Sequence, residues 1–165
     1  MSLNKPTLND NLIILTGFRS AGKSLISPFL LNCDVVCGLL KDPTASAISA
    51  IYRIGSISLE SASFLFKLNL DNARYCNGIG RNLNSRLDDE TSIWNSYDVT
   101  AEIKKLVSPR GEAVINEIKS DNKFYIFDTH NGIPAMRMFS KSYANPICIN
   151  VVRSPISVVF SWCRD

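Results

Sequence analysis

Eight consecutive residues, Gly17-Phe18-Arg19-Ser20-Ala21-Gly22-Lys23-Ser24, concentrate more chemistry than any other stretch of the chain. Their spacing, Gly-x4-Gly-Lys-Ser, is that of a phosphate-binding loop when it stands between a strand and a helix. Glycines let backbone N–H groups turn inward around an anion, the helix that follows adds the positive end of its dipole, and Lys23 supplies a mobile cation. A tight turn with an exposed lysine would use the same residues, so the context decides. Leu12-Ile13-Ile14-Leu15-Thr16 is a short apolar run of the kind found in a strand covered on both faces. Leu25, Ile26, Phe29 and Leu30 follow at helical spacing, with Pro28 expected to bend or shorten that helix.

Two further residues stand at the end of a second apolar run, Phe124-Tyr125-Ile126-Phe127. Asp128 closes it, and His130, the one histidine among 165 residues, lies two positions beyond. The carboxyl edge of an open parallel sheet is where such folds bind ligands. A neutral imidazole there suits removal of a proton from an attacking hydroxyl near neutral pH. Asp128 equally suits an ordinary nucleoside triphosphatase or kinase, in which Ser24 and Asp128 would flank Mg²⁺.

A third apolar run, Ile147 to Val152, leads into Arg153-Ser154-Pro155-Ile156-Ser157-Val158-Val159-Phe160-Ser161-Trp162. A guanidinium and a hydroxyl eight residues on, across the start of a helix, can clamp one phosphate between them. This arrangement resembles the 3′-phosphate motif of sulfotransferases that use 3′-phosphoadenosine 5′-phosphosulfate. Gly17 to Gly22 is similar to that family's 5′-phosphosulfate loop, in the Gly-x-Arg-x-x-Gly form of its carbohydrate-directed members. Phe127-Asp128-Thr129-His130 resembles the strand-end segment that carries the family's general base. Ser20 and Asp128 stand where the family usually has lysines, and Lys23 where Thr or Ser is common.

The resemblance implies a P-loop α/β fold with three αβα layers around a central parallel sheet, and transfer of a sulfuryl group to a hydroxyl or amine. It implies His130 as base and Lys23 as the cation at the transferred group. Gly17, Phe18, Arg19, Ser20, Ala21, Gly22, Lys23 and Ser24 would hold the 5′-phosphosulfate, and Arg153 and Ser161 the 3′-phosphate. The product nucleotide would be adenosine 3′,5′-bisphosphate, and no metal is needed. Asn82-Leu83-Asn84, Asp89-Glu90 and Ile93-Trp94-Asn95-Ser96 would face the acceptor, a small molecule or glycan rich in hydroxyls. Two other classes share part of these residues: the Mg²⁺-dependent kinase or hydrolase built on Lys23, Ser24 and Asp128, and a non-catalytic remnant that keeps only an anion-binding loop.

The elements that must position these groups follow from the rest of the chain. Strand, loop and helix recur with helices between, which implies a parallel sheet with right-handed crossovers. Small and apolar residues from Thr44 to about Tyr75 read as two helices parted near Gly55-Ser56. Asn77 to Tyr97 reads as a long polar loop. Asp98-Val99-Thr100 opens a helix with Glu102 and Lys105 outward and Ile103 and Leu106 inward, and a second helix runs from Gly111 to Lys119.

Length and composition fit one domain spanning residues 1–165: 45% of residues are hydrophobic and 20% charged, with no low-complexity segment. A net charge of +3 from scattered Lys and Arg favours a small anionic ligand over nucleic acid. Five cysteines, Cys33, Cys37, Cys76, Cys148 and Cys163, are odd in number and read as reduced, mostly buried thiols; Cys33 and Cys37 could share a helix face, but a zinc site lacks ligands. No segment reads as a signal peptide or membrane span, and a cytoplasmic location is expected. Relatives of the resembled family continue past the Arg-to-Ser motif into a late glycine-rich loop. The chain ends at Asp165 within an expected helix and so reads as a fragment lacking that C-terminal part.

Overall fold

A computed structural model describes residues 8, 10–89, 92–96, 98–130 and 132–163. The elements, in chain order, are β1 (Leu12–Gly17), α1 (Lys23–Leu31), β2 (Val36–Leu40), α2 (Pro43–Arg53), α3 (Leu59–Gly78), α4 (Val99–Lys104), α5 (Glu112–Ser120), β3 (Phe124–Thr129), α6 (Gly132–Ser142), β4 (Ile147–Val151) and α7 (Pro155–Trp162). They fall into two compact units, one holding Asp10–Asn69 and the chain from Lys123 onward, the other Leu70–Asn122.

The first unit is an α/β structure around a four-stranded sheet of order β2-β3-β1-β4. All three pairings are parallel, as the alternation of strands and helices requires. Side chains alternate across the sheet with period two, so one face carries Ile13, Leu15 and Ile126. Ile26 and Leu30 of α1 pack against that face. On the opposite face Phe127 meets Phe66 of α3 at 5.2 Å between ring centroids, and Phe66 meets Phe139 of α6 at 4.8 Å. Helices therefore cover both faces, and the continuous apolar runs of β1 and β3 are explained by burial on two sides.

Two local expectations are corrected in this unit. Cys33 and Cys37 do not share a helix face: α1 ends at Leu31, three residues after Pro28, Cys33 lies in the turn beyond it, and Cys37 is in β2. Proline removes one helical hydrogen bond and crowds the preceding turn, so the helix stops before the four-residue spacing can operate. The thiols are in no disulfide but are not mostly buried, since Cys33, Cys148 and Cys163 are exposed and Cys76 alone among the five is buried. α7 ends at Trp162 with Cys163 as its C-cap residue. The expectation about the chain's end also involves Arg164 and Asp165, which lie outside the described residues.

In the second unit, α3 ends at Gly78, two residues into the stretch expected to be a loop. The remainder is laced by hydrogen bonds rather than structureless. Ile93 N–H donates to Asn84 O at 2.8 Å, Trp94 Nε1 to Ser85 O at 3.1 Å, and Asn95 Nδ2 to Asp89 O at 3.0 Å. Glu90, Thr91 and Tyr97 of this segment lie outside the described residues. Asp98 caps α4 by accepting from Ala101 N–H at 2.9 Å.

The facing of α4 is the reverse of that expected. Ile103 and Leu106 are exposed, whereas Glu102 and Lys105 are half-buried and paired at 2.7 Å. The expectation assumed one continuous α-helix, but α4 stops at Lys104 and the backbone tightens to a 3-10 turn at Lys105–Val107; this turn bears on Lys105 and Leu106 and leaves the facing of Glu102 and Ile103 without a structural explanation. Among the described residues, no helix is long and apolar enough to cross a membrane.

Candidate functional site

β1 and β3 are neighbours, and Thr16 pairs with Thr129 in the parallel register. Their carboxyl ends therefore lie side by side, and the glycine loop after β1 meets His130 after β3. Thr16 fastens the arrangement from the far side by accepting a hydrogen bond from the Gly132 N–H at 3.0 Å, at the start of α6.

The chain leaves β1 through Gly17, where φ is 152° and a Cβ would lie 2.5 Å from the Val151 carbonyl oxygen of β4. Only glycine permits that approach. The loop then passes through Ser20, whose φ of 61° is unusual for a residue with a side chain. Gly22 forms the N-cap of α1 and no side chain caps that helix. The first-turn N–H groups of α1 and their positive dipole end thus head the helix without a side-chain acceptor.

Lys23, the first residue of α1, is only 6% exposed and turns back toward the strand ends. Its Nζ donates to the Gly17 carbonyl oxygen at 3.1 Å and lies 2.7 Å from His130 Nδ1. Asp128 Oδ1 stands 3.9 Å away and is buried without a hydrogen-bond partner. Burial pushes the Lys23 ammonium below the ordinary lysine value; the Asp128 carboxylate pulls it partly back, and the Lys41 charge lowers it further.

These groups line a cavity of about 340 Å³ that includes Ser20, Lys23, Ser24, Lys41, Asp128 and His130. A second cavity of about 180 Å³ is lined by Arg153, Ser157, Phe160 and Ser161. Arg153 Nη1 donates to Ser161 Oγ at 3.3 Å and to the Ser20 carbonyl oxygen at 3.2 Å. Arg153 of the smaller cavity thus hydrogen-bonds to a residue of the larger.

Of the residues singled out from sequence, Ser20, Gly22, Lys23, Ser24, Asp128 and His130 share the larger cavity, and Arg153 and Ser161 share the smaller. Gly17 contributes its carbonyl oxygen, and Ala21 is buried. Phe18 and Arg19 are exposed and line neither cavity. Sequence reasoning missed Lys41 and Asp42, which follow β2 on the same sheet edge. Asp42 is occupied as the N-cap of α2, accepting from Thr44 and Ala45 N–H at 2.7 and 3.2 Å. The signal was Val35-Val36-Cys37-Gly38-Leu39-Leu40, a short apolar run ending in a cation, which reads as a strand once Pro28 is allowed to end the helix.

Chemically, the larger cavity offers two lysine cations, a helix start, an imidazole and a carboxylate, a set suited to an anion whose reaction includes a proton transfer. Comparison with protein-family models, with curated proteins and with solved structures finds no match. Fold and site together define the class: an α/β protein with a cation-lined cavity at the carboxyl edge of a parallel sheet.

Proposed function

We propose that the chain is a sulfotransferase of P-loop type, moving a sulfuryl group from 3′-phosphoadenosine 5′-phosphosulfate to a hydroxyl or amine of a polar acceptor such as a carbohydrate. The observation that carries this reading is the Arg153 fork, which reaches Ser161 in one direction and the glycine loop in the other. A nucleotide with phosphates at both the 3′ and 5′ positions uses two neighbouring anion sites, whereas a nucleoside triphosphate does not call for the second. The donor supplies an activated sulfuryl group on a good leaving phosphate.

The chain's own residues then have distinct tasks. Arg153 and Ser161 hold the 3′-phosphate by charge-assisted hydrogen bonds. Lys23 and the first-turn amides of α1 offset negative charge growing on the leaving oxygen, a contribution worth about 3 kcal/mol per donor in comparable sites. His130 accepts the acceptor's proton. Lys41, across the cavity, adds a second cation against which the transferring group can be oriented.

Isothermal titration with adenosine 3′,5′-bisphosphate tests the reading, and a folded protein that fails to bind it rejects it. Asp128 favours a second reading, because a buried carboxylate oxygen without a hydrogen-bond partner, in the cavity that Ser24 also lines, fits a water-mediated Mg²⁺ site of a kinase or hydrolase. Magnesium-dependent ATP binding that disappears in Asp128→Ala would select it.

A further inference from the structure

His130 Nδ1 has two neighbours that it cannot serve in the same state. It lies 2.7 Å from Lys23 Nζ and 3.3 Å from the Gly17 carbonyl oxygen. An ammonium only donates and a carbonyl oxygen only accepts. Nδ1 bonded to Lys23 must therefore be bare, and Nδ1 bonded to Gly17 must carry hydrogen. A neutral imidazole has one N–H, so the choice at Nδ1 fixes the opposite state at Nε2.

We propose that Lys23 holds His130, in the absence of ligand, as the tautomer with its hydrogen on Nε2, and that an anion in the glycine loop draws the ammonium away and releases the tautomer able to act as a base. Nδ1–H then donates to Gly17 O, and Nε2 is left bare to accept a proton. The exchange is balanced: one proton leaves Nε2 for solvent water and one reaches Nδ1 from it. His130 is exposed to solvent, so that path is open.

The elements around the pair bear on the same balance. Lys23 leads α1, Asp128 is the next-to-last residue of β3, and Lys41 follows β2 on the cavity wall. Asp128 keeps the ammonium near the strand ends at 3.9 Å. Burial and the Lys41 charge lower the Lys23 pKa without supplying a counter-anion, so an incoming phosphate or sulfonate meets an ammonium that gains by pairing with it. Lys23 is thereby both a ligand for the anion and a positioning residue for His130. The consequence for the reaction is order: the base forms only after the anionic donor has bound. An acceptor entering an empty site would find a hydrogen-bond donor where the base should be.

The inference rests on the phosphate-loop reading, and the chain provides a clean probe because every imidazole signal comes from its one histidine. Long-range ¹H–¹⁵N correlation spectra of the whole protein at about pH 8, where an ordinary imidazole is neutral, report which nitrogen is bare. The expected result is Nδ1 bare in the free protein and Nε2 bare with saturating adenosine 3′,5′-bisphosphate or inorganic pyrophosphate. In Lys23→Met the imidazole should show the bare Nε2 before any ligand is added. Calorimetry on the same samples separates the two ideas. If pyrophosphate binds and switches the tautomer while the bisphosphate does not bind, the tautomer lock stands and the nucleotide assignment falls. If either anion binds and Nδ1 stays bare, or if the free protein already has a bare Nε2, the lock is overturned. If neither anion binds, lock and phosphate loop fall together.

Discussion

Arg153 Nη1 donates to Ser161 Oγ at 3.3 Å, across the first two turns of α7, and the same nitrogen reaches the carbonyl oxygen of Ser20 at 3.2 Å. One exposed side chain thus connects the loop after β1 with the helix after β4. Replacing it should separate the two proposed anion sites energetically. In Arg153→Ala the affinity for adenosine 3′,5′-bisphosphate should fall about 10- to 100-fold, since hydrogen bonds to a charged group are worth about 1.5–3 kcal/mol. Affinity for inorganic pyrophosphate, which needs only the glycine loop, should change little. Equal loss for both ligands in calorimetry would contradict two separate sites.

Anion binding should weaken in alkaline solution sooner than an ordinary lysine would require. Burial lowers the Lys23 pKa in the free protein, whereas a bound anion favours its charged form and raises that pKa again. Affinity is then flat below the lowered free value, and falls as pH rises through it toward the bound value, by at most about tenfold per pH unit for a single proton. Asp128→Asn removes the charge that pulls the Lys23 pKa upward, so the fall should begin at lower pH. Lys23→Arg should abolish it over the accessible range because the guanidinium does not deprotonate. Pyrophosphate titrations at a series of pH values check all three proteins.

Phe66 is fully buried among Phe127, Phe139 and Tyr143, with centroid distances of 5.2, 4.8 and 6.3 Å. Phe66→Ala should cost about 3–5 kcal/mol, from lost transfer energy and the cavity left behind. Denaturant unfolding followed by fluorescence should show a lower midpoint, and a loss under about 1 kcal/mol would mean that the helices over this face repack freely.

Gly17→Ala places a methyl group 2.5 Å from the Val151 carbonyl oxygen, against a paired strand backbone that cannot yield cheaply. A fall in stability of at least about 2 kcal/mol is expected, together with loss of pyrophosphate binding, because relieving the collision shifts the glycine loop and the carbonyl oxygen that positions Lys23. Gly55→Ala is the control for a positive φ alone: its φ is 76° and no atom lies within 4 Å of the added methyl. Unfolding and calorimetry on the two variants should separate collision from backbone strain.

Much of the first unit was legible because its signals are local. A strand buried on both faces must be apolar throughout, so β1 and β3 announce themselves, and the loop after β1 is punctuated by glycines at fixed spacing. Asp98 was readable as a cap for the same reason. β2 was hidden because its central residue is Gly38 and a proline-bearing helix runs into it. Lys41 was lost along with it, since a cation means little until the strand that delivers it is known. The outward turn of Leu106 was not readable either, because it follows a helix that tightens after six residues. The contact between Lys23 and His130 joins positions 107 residues apart, and sequence could nominate each residue but not the bond between them.

The pairing of Thr16 with Thr129 has a consequence beyond architecture. Parallel register acts as a ruler for the chemistry, because each strand advances about 3.3 Å per residue. A slip of one residue would carry His130 past its partner by more than the length of a hydrogen bond and would exchange the two faces of β3, sending Phe127 toward α1. Binding competence should therefore return during refolding together with the sheet, as one event, rather than mature afterwards on a scaffold already formed.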